Sequence, residues 1–75
     1  MKRRPKVGDR VVARFDIWDY FTGLTVPKGT VGEVVAAGID AAYGMVNVRF
    51  PIEGVTDGLP LQAAGPDAAV AEYQS

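Results

Sequence analysis

The sequence predicts an all-β protein: a small, strongly bent antiparallel barrel of five short strands, with a long loop after the first strand and a short helical turn near the C-terminus. Three observations predict it. Residues 26–37, VPKGTVGEVVAA, read as a turn, a pair of glycines and a strand. Residues 10–17 alternate apolar and polar, with Val11, Ala13, Phe15 and Ile17 on one face and Arg10, Val12, Arg14 and Asp16 on the other. Residues 45–50 alternate again, with Val46, Val48 and Phe50 inward and Met45, Asn47 and Arg49 outward. Period two over such lengths is the mark of a half-buried strand.

In chain order, residues 1–6 form a basic arm ahead of a single domain over residues 7–75. Pro5 and the polar composition of the arm oppose regular structure there. Val7-Gly8-Asp9 is a turn into the first strand. Residues 18–25, WDYFTGLT, have no clean period and read as a long, partly ordered loop. Pro27 suits the second position of a turn and Gly29 its fourth. The second strand runs over residues 30–37, and Gly32 inside it marks a bulge or a close approach of another backbone. Residues 39–44 connect to the third strand, which Pro51 ends or places at an edge. Ile52-Glu53-Gly54 is a tight turn into a fourth strand at Val55-Thr56-Asp57. Pro60 opposes helix over residues 59–62. Gly65-Pro66-Asp67 resembles a helix start, followed by one helical turn and a short closing strand.

Seventy-five residues make one domain with a thin core, since a chain of this length buries only ~60% of its unfolded surface. There is no cysteine, so disulfides and thiolate chemistry are excluded. No apolar run approaches the ~20 residues of a membrane span, and nothing resembles a signal peptide. The expectation is a soluble cytoplasmic protein with no membrane contact. Charge is uneven along the chain. Lys2, Arg3, Arg4, Lys6, Arg10 and Arg14 against Asp9 leave residues 1–14 at +5, and the rest of the chain stands at −6.

The residues VGDRVVARF, PKGTVGEVVAAG and MVNVRFP together resemble an SH3-like small barrel over roughly residues 7–51. Gly8-Asp9-Arg10-Val11 and Lys28-Gly29-Thr30-Val31-Gly32-Glu33-Val34 resemble the opening strand and later turn of KOW-type modules. They are also similar to the variable chain of ferredoxin-thioredoxin reductase and to the SH3-like domain of nitrile hydratase β subunits. Gly8 to Val12 with Gly29 to Val31 resembles Mind bomb-type domains. These motifs set turn and strand geometry and are shared by unrelated functions. The chain lacks the Trp-Trp pair and the later Pro-x-x-Tyr of peptide-binding SH3 domains.

Two groups of residues are candidates for function. Trp18, Asp19, Tyr20 and Phe21 form the only aromatic cluster, and Tyr43 joins it if the loop after the second strand lies alongside. Aromatics with a polar handle suit a protein interface, and aromatics beside carboxylates suit a basic or extended peptide. The alternative is that Trp18 or Phe21 folds back to cap the open end of the barrel. The second group is Lys2, Arg3, Arg4, Lys6, Arg10 and Arg14, a phosphate-binding stripe or a solvated arm. The KOW-type resemblance implies RNA or RNA polymerase as its partner. A third reading is self-association, with the arm of one molecule on the acidic face of another. The outward edge of Met45, Asn47 and Arg49, or that of the last strand, is a candidate for strand addition.

Catalysis is not expected. The chain has no histidine and no cysteine, and its only serine is Ser75. Asp16 and Asp19 alone make a poor Mg²⁺ or Ca²⁺ site, and Gly29-Thr30-Val31-Gly32 lacks the spacing of a phosphate loop. No metal and no cofactor are expected. The reading at this point is a small protein-binding module, with nucleic-acid binding and self-association as alternatives.

Overall fold

The computed structural model describes residues 5–37, 44–54 and 58–74. Seven strands succeed one another: β1 (Arg10–Ala13), β2 (Ile17–Trp18), β3 (Thr25–Val26), β4 (Val31–Ala36), β5 (Met45–Arg49), β6 (Leu59–Gln62) and β7 (Val70–Glu72). Five of them form one antiparallel sheet in the order β6-β5-β4-β1-β7, and β2 pairs with β3 in a separate hairpin. The sheet curls into a half-barrel. There is no helix among the described residues, and so none long and apolar enough to cross a membrane.

The alternation puts the core where period two requires it. Val11 and Ala13 of β1, Val34 of β4, Val46 and Val48 of β5, and Phe50 just beyond β5 are all buried. Ile17 and Val26 reach the same cluster from the hairpin, and Ala63, Ala69 and Val70 from the C-terminal segment. Each fully buried valine or phenylalanine contributes about 1.5–3 kcal/mol relative to exposure. Leu59 and Leu61 of β6 pack on the margin of this cluster.

Gly32 is the close approach that its place in a strand predicts. A Cβ there would lie 2.7 Å from Val48 Cγ1, 2.8 Å from Phe50 Cδ1 and 2.9 Å from the Arg49 carbonyl oxygen. The bulge lies elsewhere. Val34 faces Val48 and Ala36 faces Asn47, so Val35 is the extra residue. The turn before β4 also sits one residue later than expected. Thr30 N–H donates to the Pro27 carbonyl, which makes Pro27 the first position and Gly29 the third. Gly29 has φ +90°, the positive value that the third position of a type II turn requires.

Three further expectations need correction. The first strand does not run unbroken to Ile17. Ala13 bonds to Gly29 and Thr30, Arg14 N–H donates to the Ala69 carbonyl, and the chain bends there. Phe15, expected inward, stands on the bend and is exposed. The strand carrying Met45, Asn47 and Arg49 is not an edge, because β5 is paired on both sides, to β4 and to β6. Gly65 to Ala68 is a single hydrogen-bonded turn, Ala68 N–H to the Gly65 carbonyl, and not a helical one. The expected strand at Val55-Thr56-Asp57 lies outside the described residues. Residues 59–62 are extended, as Pro60 suggests, and form the edge strand β6.

Candidate functional site

The aromatic run is a hairpin and not an irregular loop. Ile17 faces Val26 and Trp18 faces Thr25. Alternation carries on into the turn, with Ile17 buried, Trp18 exposed, Asp19 buried and Tyr20 exposed. An inward aspartate must be hydrogen-bonded, and its bonds shape the turn. Asp19 Oδ1 accepts from Phe21 N–H at 3.1 Å, and Oδ2 accepts from the Thr22 hydroxyl at 2.7 Å. Thr22 Oγ1 accepts in turn from Leu24 N–H at 3.2 Å. The Asp19 backbone closes the turn at both ends, N–H to the Leu24 carbonyl and carbonyl from Gly23 N–H, each at 2.8 Å. At the base of the hairpin Asp16 Oδ1 accepts from Lys28 N–H at 2.8 Å.

This polar scaffold leaves three aromatic rings outside. Trp18 is 61% exposed, Tyr20 77% and Phe21 90%. They touch one another edge to face. Trp18 and Tyr20 have centroids 5.7 Å apart with planes at 86°, and Tyr20 and Phe21 lie at 5.8 Å and 86°. That is the arrangement the ring quadrupoles favour. None of the three is buried in the core. Ile17 and Val26 supply the inward apolar contacts of the hairpin instead.

An open cleft of about 200 Å³ separates this hairpin from β6, lined by residues 17–21 on one wall and Leu59, Pro60 and Leu61 on the other. The second wall was not identified from the sequence. The one signal for it was Pro60 in a strand-like run, which marks an edge. A broader depression of about 470 Å³ lies between the start of β4 and residues 49–52. Its only charged residues among the described ones, Glu33 and Arg49, sit opposite each other, and its aromatic ring, Phe50, is buried. It offers a ligand less than the hairpin cleft does.

Of the other predicted residues, Tyr43 and Lys2, Arg3 and Arg4 lie outside the described residues. Lys6 and Arg10 are exposed. Arg10 faces Glu33 across β1 and β4, and Glu33 faces Arg49 across β4 and β5, so an acid separates the two arginines on the outer surface of the sheet. Arg14 is engaged over a long range: its Nη1 donates to the Ala68 carbonyl at 2.9 Å. Among the described residues no three His, Cys, Asp or Glu side chains gather as a metal site. No protein-family model, curated protein or solved structure matches the chain.

Proposed function

We propose that this chain is a small non-catalytic protein-binding module, an adaptor, accessory subunit or regulator that docks on a larger protein through its aromatic hairpin. One observation carries this reading: three adjacent aromatic rings stand exposed on a turn whose backbone is already fixed by Asp19. Holding large apolar rings in water has no benefit to folding, and pre-ordering them lowers what binding must spend on order. Trp and Tyr are the side chains enriched at the centres of interfaces. Rings of this kind each bury about 150–250 Å². The hairpin can therefore supply the centre of a standard interface of about 800 Å² per partner, with the β6 wall of the cleft beside it.

The SH3-like reading of the fold belongs to the same proposal. A long excursion after the first sheet strand, a curled five-strand sheet and a last strand that returns to β1 support it. The KOW-like, nucleic-acid alternative draws less support, because Arg14 is bonded within the fold and Glu33 lies between Arg10 and Arg49. The test is affinity capture of the tagged chain from a lysate of its source, with and without nuclease, beside the double variant Trp18→Ala/Tyr20→Ala. A defined protein partner that survives nuclease and is lost with the folded double variant is the expected result. Capture that persists in the double variant overturns the reading. A partner set lost to nuclease moves the function to the basic residues.

A further inference from the structure

The chemistry of the hairpin cleft is one-sided. Asp19 lines it and is only 6% exposed. Its described partners are the Phe21 amide and the Thr22 hydroxyl, both neutral donors. No cation stands beside this carboxylate among the described residues that line the cleft, and a cation brought to it gains more than it would in open solvent.

The opposite wall adds to this bias. The Gln62 carbonyl accepts from the Ala69 amide at 2.7 Å, so it points away from β5. Alternation along the strand puts the Pro60 carbonyl on the same free edge. Pro60 has no N–H to place beside it. At its centre the edge therefore offers an acceptor and no donor, which a guest strand cannot pair with in full. The size of the cleft narrows the guest further. At about 200 Å³ it falls below the ~300–1,000 Å³ of small-molecule sites and has room for one long side chain.

We infer that the cleft between the aromatic hairpin and β6 receives the guanidinium of an arginine carried by a protein partner. The inference rests on the protein-binding reading and specifies what that surface recognises. A guanidinium is planar, is weakly hydrated, lies on aromatic rings and carries five donors. It serves the Asp19 carboxylate and the Pro60 carbonyl with its N–H groups while its plane meets Trp18 or Tyr20. An ammonium has neither the plane nor the fork. Recognition is by the guest's side chain and not by addition of a strand.

Trp18 is the only tryptophan of the chain, so its fluorescence reports the cleft directly. The full chain is titrated with acetyl-Gly-Gly-Arg-Gly-Gly-amide and with the same peptide carrying lysine or citrulline, the neutral isostere of arginine. Changing the charge on the guest leaves the turn intact, whereas Asp19→Asn would disturb the turn itself. A saturable change with the arginine peptide is expected, at least tenfold weaker with citrulline, intermediate with lysine, and absent from the tyrosine emission of the Trp18→Ala variant. Equal responses to arginine and citrulline overturn the inference. So does the absence of a saturable response by about 20 mM, where even contacts weaker than 1 mM register. If the captured partner depends on Trp18 and Tyr20 while the arginine peptide gives no response, the arginine assignment fails and the protein-binding reading stands. If capture ignores both rings, the protein-binding reading itself fails. Concentration-dependent self-association abolished by Arg3→Gln/Arg4→Gln makes the occupant the arm of a second copy and overturns a distinct partner.

Discussion

The β1-β4-β5 sheet and the β2-β3 hairpin are built from similar apolar and aromatic residues and are held together in opposite ways. In the sheet the apolar side chains are inside, and Val11, Val34, Val48 and Phe50 are almost wholly removed from water. In the hairpin Ile17 and Val26 are inside, and Trp18, Tyr20 and Phe21 are outside. What fixes the hairpin turn is one carboxylate with two accepted bonds and the backbone pairs around it. The sheet is organised by burial, which is strong and non-directional. The hairpin is organised by local polar bonds, which leave its large rings free for another surface. The difference predicts that substitutions in the two regions separate stability from binding.

The largest effect is expected at Phe50. Truncation to alanine removes the largest fully buried side chain and should cost about 3–5 kcal/mol. A domain of this length loses about 4–8 °C of melting temperature per kcal/mol, so urea or thermal unfolding should find Phe50→Ala barely folded. A loss under 1 kcal/mol would mean that the half-barrel does not depend on its buried apolar cluster, and the contrast would fall. Gly32→Ala comes next. Its new methyl meets Val48, Phe50 and the Arg49 carbonyl at under 3 Å, and over-packing of this kind costs about 1–3 kcal/mol. The carbonyl is backbone and cannot turn aside as a side-chain end can. Binding of the partner per folded molecule should be unchanged by either variant.

The same contrast explains what the sequence made legible. Val46, Val48 and Phe50 could be placed inside because the strand period is local, and Gly32 could be read as a bulge or a close approach because a glycine among valines has few other uses. The bulge at Val35 was hidden, since Val34, Val35 and Ala36 are all apolar and nothing distinguishes the extra residue. The bend that exposes Phe15 was hidden for a different reason. It is set by bonds from Ala13 to Gly29 and Thr30 and from Arg14 to Ala69, partners far along the chain. At the candidate site the aromatic cluster was legible as composition. Its second wall was not, because the strand order, and not the sequence neighbourhood, brings Leu59, Pro60 and Leu61 to the hairpin. Asp19 holds the turn that presents the rings and also lines the cleft beside them.

Asp19→Ala tests that division within the hairpin. It removes the acceptor for the Phe21 amide and the Thr22 hydroxyl and should cost about 1.5–3 kcal/mol, the range for bonds to a charged group. The loss should be local. Hydrogen exchange should quicken at the amides of Phe21, Gly23 and Leu24, while amides of β4 and β5 keep their protection. Equal loosening of the sheet would show that the hairpin and the half-barrel open as one unit, and the two regions would no longer be separable.

The smallest stability change is expected where the binding change is greatest. Trp18→Ala and Tyr20→Ala remove rings that are mostly in water, and surface substitutions of this kind stay within about 0.5 kcal/mol. Tyr20 meets both neighbouring rings edge to face and Trp18 is the less exposed of the two, so neither change should exceed that range. Chemical unfolding sets the stability of each variant, and capture of the partner sets its binding. If either ring proves to contribute more than 1 kcal/mol to folding, the hairpin is a lid on the half-barrel and its exposure is no sign of a partner. If stability holds and binding is lost, the rings stand in water because another molecule covers them.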